Sequence, residues 1–405
     1  MMTFLLLSAS RCNPRTLSPT PPTAVHTLLH VDCGGDWSRW LKRIDKCAGV
    51  VNVHSNTGRY GNKLFSLAAG IVRAHNLSMH LKVKMDSPEL VKIRGPSSYP
   101  CMEPLLAHGW TCKSTVTGCR MNGCAKNPKQ DNFDGLPLGK NGYFQSAFWI
   151  RQYEKQRDLL QYMFQRKSIL KQYPGPNDAV VYLRDFAHDQ GAARDALSRD
   201  MMNLSASTTR LSDEDFNRIV GSKYRTFGIP PSIYFDRVLQ AGNYSRVWIV
   251  GDPPIAQNHP ISTYLQRRFN AKVHSRSTDV ETDFQFLASA RTMVISPSTF
   301  AWWAAFLSSN ATIHFPLGPI GGQGGGLQWC NMLFHGALVA RTVYHDWFGH
   351  YDHRQPSELK RGGTAPVDAS IVDKEHAHSI CISRNNDREA ISQALHEARD
   401  YFFGF

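Results

Sequence analysis

The chain has 405 residues, 42% hydrophobic and 20% charged. That balance excludes a disordered polar chain and supplies apolar residues for about two domains of ordinary size. The formal net charge of +13 and pI of about 9.4 favour acidic partners such as nucleic acid, phosphorylated small molecules, anionic lipid or acidic glycans. No Lys/Arg block marks a nucleic-acid arm, and the apolar run Phe4–Leu7 is far short of the ~18–20 residues of a membrane span.

In chain order, residues 1–30 are rich in Pro, Ser and Thr and read as a disordered leader. A strand is predicted over 49–54 and a helix over 62–76, with Leu64, Leu67, Ala68, Ile71 and Val72 on one face. Between them stands Gly58-Arg59-Tyr60-Gly61-Asn62, more than a strand-to-helix turn requires. Residues 95–140 have no sustained period and read as an irregular insertion. They hold Cys101, Cys112, Cys119 and Cys124, four of the nine cysteines, with no CxxC pair. Three readings stay open for them: a local disulfide knot in an oxidising compartment, a zinc site, or plain thiols. Gly142–Trp149 is aromatic and strand-like, and a polar helix is predicted from about 151 to 166. Tyr173–Asp178 (YPGPND) is a Pro/Gly linker and the best domain boundary.

Beyond it, strands at 179–183, 247–251, 272–274, 292–296 and 311–315 alternate with helices at 231–240, 261–269, 283–290 and 299–307. Short apolar strands alternating with helices of ~10 residues predict βαβ units and a parallel sheet. The expected architecture is α/β, with two Rossmann-like halves facing each other across a cleft that holds the ligand. The expected divisions are a leader (1–30), an N-terminal half on the acceptor side (31–173), a nucleotide-sugar-binding half (174–320) and an irregular C-terminal segment (321–405).

Four strand ends carry unusual residues: Gly58–Asn62, Arg184-Asp185, Gly251-Asp252-Pro253-Pro254, and Pro297-Ser298-Thr299 opening a helix. Ligands bind at this edge of open parallel sheets. Ser298 and Thr299 at a helix start suit an anion, but taken alone they read first as an ordinary N-cap. An arginine leaving a buried strand needs an anion, either a ligand phosphate or a structural carboxylate, Asp185 or another. Other patterns are weaker. Gly135–Lys140 misses the spacing of a phosphate-binding loop, and Ser212–Asp215 reads as a capping box before it reads as a metal site. His345, Asp346, His350, Asp352 and His353 read as surface or packing residues. Glycosylation sequons occur at Asn76, Asn203, Asn243 and Asn310.

Three stretches resemble one family. GRYGNKLFSLAAG (58–70), GYFQSAFW (142–149) and SPSTFAWWAAFLSSNATIHFP (296–316) look like motifs of the α-1,2-fucosyltransferases, in the same order. The resemblance covers roughly 49–320. It implies a GT-B fold, a hexosyltransferase without metal or other cofactor, and transfer of fucose from GDP-fucose to a hydroxyl of an acceptor glycan with inversion, through an α-1,2 linkage. It implies that Arg184 holds the diphosphate, that Gly58, Arg59, Gly61 and Asn62 face the transferred sugar, and that Ser298, Thr299 and Phe300 contact the nucleotide or its phosphates, with Gly251 and Asp252 on the same edge. Asn62 and Asp185 join Arg184 as catalytic candidates, and His188 and Asp189 are further candidates for a base. The family's His-x-Arg-Arg reads Tyr182-Leu183-Arg184-Asp185 here, which leaves open another nucleotide sugar or a catalytically inactive glycan- or nucleotide-binding relative. The partners so implied are a nucleotide sugar and an acceptor glycan, with no nucleic acid, and a membrane only through an anchor outside the visible chain. The compartment implied is the Golgi lumen, with the cytoplasm as the alternative.

Overall fold

The computed structural model describes residues 33–45, 49–55, 60–85, 99–106, 110–112, 119–121, 129–132, 144–145, 147–166, 169–184, 230, 232–274, 280–317, 332–334, 336–346 and 371–372. The predicted leader and the expectations at Gly58, Arg59, Gly135–Lys140, Asp185, His188, Asp189, Ser212–Asp215, His350, Asp352 and His353 lie outside the described residues.

The first half opens with helix α1 (Gly35–Arg43), strand β1 (Gly49–Ser55), helix α2 (Tyr60–Leu77) and strand β2 (His80–Met85). β1 pairs in parallel with β2 on one side and β5 (Lys129–Asn132) on the other. A separate antiparallel pair, β3 (Trp110–Cys112) and β4 (Cys119–Met121), sets Cys112 opposite Cys119 in register. The local-knot reading is corrected at Cys101, which is disulfide-bonded to Cys33, 68 residues upstream. The physical reason is that α1 lies beside the turn Glu103–Leu105, while the Tyr162 hydroxyl anchors the Cys33 carbonyl at 2.8 Å.

A second correction concerns Gly142–Trp149. Phe144 takes φ 52°, which breaks an extended run, and helix α3 (Ala147–Lys155) begins three residues later. Trp149, Ile150 and Tyr153 share the buried face of that helix, so packing at helical spacing overrides the aromatic preference for strands. The single helix predicted over 151–166 is two, α3 and α4 (Arg157–Met163).

The second half is one seven-stranded sheet. Its strands are β6 (Asp178–Leu183), β7 (Arg246–Gly251), β8 (Lys272–Val273), β9 (Thr292–Ile295), β10 (Thr312–Leu317), β11 (Thr342–Asp346) and β12 (Ile371–Val372). The order is β12-β11-β10-β9-β6-β7-β8, all parallel except β12. Counted from β6, the first six strands run 3-2-1-4-5-6, the doubly wound dinucleotide-binding order. Two of its strands, β11 and β12, come from beyond residue 320, where the sequence predicts irregular chain. The connecting helices are α5 (Ser232–Ala241), α6 (Pro253–Asn258), α7 (Pro260–Phe269), α8 (Val280–Ala288) and α9 (Thr299–Leu307), with a short α10 (Gly336–Val339) later.

Two cores flank this sheet. Along β6, Ala179, Val181 and Leu183 face α5, α6 and α7, while Val180 and Tyr182 face the other way. That second core runs through α8 and α9 into α2, α3, α4 and Val51 and Val53 of β1. Trp302 and Trp303 of α9 are fully buried, each 4.9 Å from Phe65 of α2. Where α2 meets α9, the space between the two sheets is therefore filled by side chains. The C-terminal carbonyls of α9 accept hydrogen bonds from Arg157, Gln161 and Arg341, and the two arginines also suit the negative end of the helix dipole.

His345 sits inside the second half, 2.9 Å from His314 on the neighbouring strand and against the Tyr234 ring. Burial pushes the His314 imidazole down to about 4, and burial with the neighbouring His314 holds His345 well below its ordinary value. Both are neutral in the fold, and the unfolded chain takes up protons first as pH falls. Stability is thus fully present above the ordinary histidine value of about 6.5 and is lost as pH falls towards 4. For His314 alone the expected loss is on the order of 2–3 kcal/mol, and His345 adds to it, read as a fall in Tm between pH 7.5 and pH 4.5. His345→Gln should flatten that slope, and an unchanged slope would show that the pair does not govern it.

Candidate functional site

The strand order reverses between β6 and β9, and a crevice opens outside the carboxyl ends of strands at such a point. Ser296 stitches that edge: its hydroxyl donates to the Tyr182 carbonyl and accepts from the Arg184 amide at 3.2 Å. The Arg184 side chain, 5% exposed, forms an ion pair with Asp252 at the end of β7, whose side chain is 36% exposed. The structural carboxylate weighed from sequence is therefore Asp252, and Arg184 stands charged at the edge with its counter-ion on the rim. Gly251, just before it, pairs with Leu183, and a Cβ there would stand 2.6 Å from the Leu183 carbonyl oxygen. Its role in these contacts is close strand pairing.

Ser298 is the N-cap of α9, accepting from the Phe300 amide at 3.2 Å, and it also hydrogen-bonds the Tyr182 hydroxyl. Burial is the main cause that pushes Tyr182 up to about 12, so the phenol stays neutral. The ring of Phe300 stacks on Tyr182 at 5.3 Å and packs against Tyr60 and Phe284 at 5.8 Å and 5.1 Å.

Gly61 has a definite partner. A Cβ on it would meet the Phe300 nitrogen, the Thr299 carbonyl carbon and the Thr299 Oγ1, each at 2.5 Å. The glycine therefore lets the first turn of α2 rest directly on the first turn of α9, so the amino ends of the two helices converge. The excess seen at residues 58–62 is, at Gly61, a packing requirement between helices. Beside it, the Asn62 amide oxygen accepts from the Gln145 side chain at 2.9 Å.

The first and third motifs, Gly61–Asn62 and Ser298–Phe300, thus meet, and the middle one reaches them through Gln145. Arg184, Gly251 and Asp252 join through Tyr182. Sequence reasoning did not single out Gln145, Ser296 or Tyr60. For Gln145 the signal was available in the quoted motif, since an amide inside an aromatic run is costly to bury without a partner.

Tyr60 leads to a buried polar cluster. Its hydroxyl donates to Glu281 at 2.8 Å and lies 2.9 Å from the Tyr99 hydroxyl. Arg166 donates to Tyr60 at 2.9 Å and to Tyr99 at 3.1 Å, and forms an ion pair with Glu281. If Tyr99 donates to Tyr60, every hydroxyl proton and each lone pair of Tyr60 is used. Burial opposes the guanidinium charge, but the two tyrosines and Glu281 outweigh it and hold the Arg166 pKa above its ordinary value. Among the described residues no three or more His, Cys, Asp or Glu side chains cluster as metal ligands, and no helix is long and apolar enough to cross a membrane.

The family model of glycosyl transferase family 11 matches residues 265–316, from within α7 through α9 to β10. That stretch, which carries Ser298, Thr299 and Phe300, is similar to the family. No curated protein matches the chain.

Proposed function

We propose that the chain is a glycosyltransferase that binds a nucleotide sugar at the β6/β9 switch point and transfers its sugar, with inversion, to a hydroxyl of an acceptor glycan. The observation that carries the reading is the meeting of three separate motifs at one sheet edge, beside a buried arginine. The match to glycosyl transferase family 11 over 265–316 supports the same class. In this reading the donor is GDP-fucose, the linkage α-1,2 and the fold GT-B, with no metal in the reaction and the Golgi lumen as the compartment.

The acceptor oxygen attacks the anomeric carbon as the carbon–oxygen bond to the diphosphate breaks on the opposite face. Negative charge then grows on the departing diphosphate. Arg184 and the positive, amino-terminal ends of the α2 and α9 dipoles are the groups that stabilise it. Asn62, its amide oxygen occupied by Gln145, offers its N–H groups to a sugar hydroxyl. Asp185 is the proposed base that takes the acceptor proton. Tyr182 and Asp185, which depart from the family's pattern, favour a second reading in which the same site takes a different nucleotide sugar.

The test is thermal stability with GDP, GDP-fucose, GDP-mannose, UDP and UDP-galactose, on wild type and Arg184→Ala. A ligand held by the native state raises Tm by mass action. Because Asp252 is 36% exposed, removing its partner leaves a carboxylate that water reaches, and the variant is expected to fold. It should bind GDP about 10–100-fold more weakly, the worth of a charge-assisted hydrogen bond of about 1.5–3 kcal/mol. A response to UDP alone would discard fucose and keep the class. No response to any nucleotide would remove the reading.

A further inference from the structure

Of the four sequons, Asn203 lies outside the described residues, and the other three share a place in the fold. Asn76 ends α2 just before β2, Asn243 follows α5 just before β7, and Asn310 follows α9 just before β10. All three lie in helix-to-strand connections at the amino ends of parallel strands. The candidate site is built at the opposite, carboxyl ends. At ~1.5 Å per residue, the axis of α2 carries Asn76 about 22 Å from Gly61. The sequence places Asn76 and Asn310 in or beside core elements, yet all three asparagines are exposed, as are Ser78, Ser245 and Thr312 two residues on.

Turn geometry does not account for the pairing of these asparagines with a hydroxyl: Asn76 lies inside α2, and the left-handed position of that connection is taken by Ser78, at φ 51°. Asn270 sits in the same kind of connection, between α7 and β8, with φ 49°, and Lys272 stands two residues on. At Asn270 the left-handed position favours an asparagine, whereas Asn243 and Asn310 take no positive φ, so their turns ask for neither the asparagine nor the Ser or Thr two residues on. The Cys33–Cys101 disulfide is an independent sign of the oxidising, secretory environment in which such sequons are used.

We infer that Asn76, Asn243 and Asn310 are N-glycosylation sites that place carbohydrate on the face of the molecule turned away from the candidate site. In that modification the asparagine amide nitrogen bonds to the anomeric carbon of an oligosaccharide. The anomeric carbon–oxygen bond to a diphosphate-activated, lipid-linked donor breaks, the diphosphate departs with the electron pair, and the amide loses one proton. Asn76 also hydrogen-bonds His75, a contact that a singly substituted amide can keep.

The experiment is intact-mass and peptide mapping of the full chain purified from the cells that make it, before and after peptide-N-glycosidase. The expected result is a loss of one to three glycan masses, with asparagine converted to aspartate at 76, 243 or 310. GDP should shift Tm equally before and after the treatment. Unmodified asparagine at all three positions, or carbohydrate at Asn203 alone, overturns the inference. A GDP response that appears only after deglycosylation overturns the away-facing placement. A protein that never responds to GDP but carries the glycans leaves this inference standing and counts against the nucleotide-sugar reading alone.

Discussion

Arg166→Ala is expected to destabilise the protein by about 2–3 kcal/mol, below the range of about 3–5 kcal/mol for one partner of a fully buried ion pair, because the Glu281 side chain is 31% exposed. The variant leaves Glu281 with its negative charge and the Tyr60 and Tyr99 oxygens without their cationic donor. It also removes the guanidinium from the Phe284 face at 4.5 Å. Arg166→Met with Glu281→Gln should recover a large part of the loss, because the charge itself is then gone and the volume is roughly kept. Tyr60→Phe should cost less, about 1–2 kcal/mol for one buried hydrogen-bonded hydroxyl. Unfolding midpoints of the three variants decide the matter. If Arg166→Ala loses under 1 kcal/mol, or the double variant is no better than the single, the cluster is not the clamp between Tyr60, α4 and α8 that its geometry describes.

The second large effect is at Gly61. An alanine there puts a methyl 2.5 Å from backbone atoms of Thr299 and Phe300, and backbone at the first turn of a buried helix cannot step aside. The two helices must separate by about 1 Å, which loosens the packing of Phe65 on Trp302 and Trp303. We expect a loss of about 3 kcal/mol, the upper end for overpacking, and loss of any GDP-induced shift in Tm. Gly242→Ala makes the comparison sharp. Its added methyl meets an equally close neighbour at 2.1 Å, but that neighbour is the ring of Tyr244, the movable end of a side chain. A Gly61→Ala protein as stable as Gly242→Ala would show that the α2–α9 contact yields easily.

Much of this was legible in the sequence. Among the described residues, the alternation of short apolar strands and helices located every strand of the second half as far as β10, and every helix except the short α6, to within three residues, because period-2 and period-3.6 patterns are local. Strand order was not legible, since nothing local tells β9 to lie beside β6. The Arg166 cluster was invisible for the same reason: Tyr60 and Glu281 are 221 residues apart. At Arg184 the need for an anion was readable from one buried cation, but the carboxylate that meets it stands 68 residues away. Gly61 shows a subtler limit. A glycine needed for close approach looks the same in sequence whether a ligand or a second helix comes near.

The shared core between α2 and α9 bears on how a substrate gets in. Each of Phe65, Trp302 and Trp303 buries about 150–250 Å². Parting the two helices to widen the crevice would wet a good share of that area, at ~25 cal/mol per Å² a penalty on the order of 5 kcal/mol or more. Fewer than about one molecule in a thousand would stand open at any moment. Separation of the two halves along this line is therefore a minor state at equilibrium. In the proposed glycosyltransferase, the floor from Gly61 across Phe300 to Arg184 would thus be the rigid part of the site.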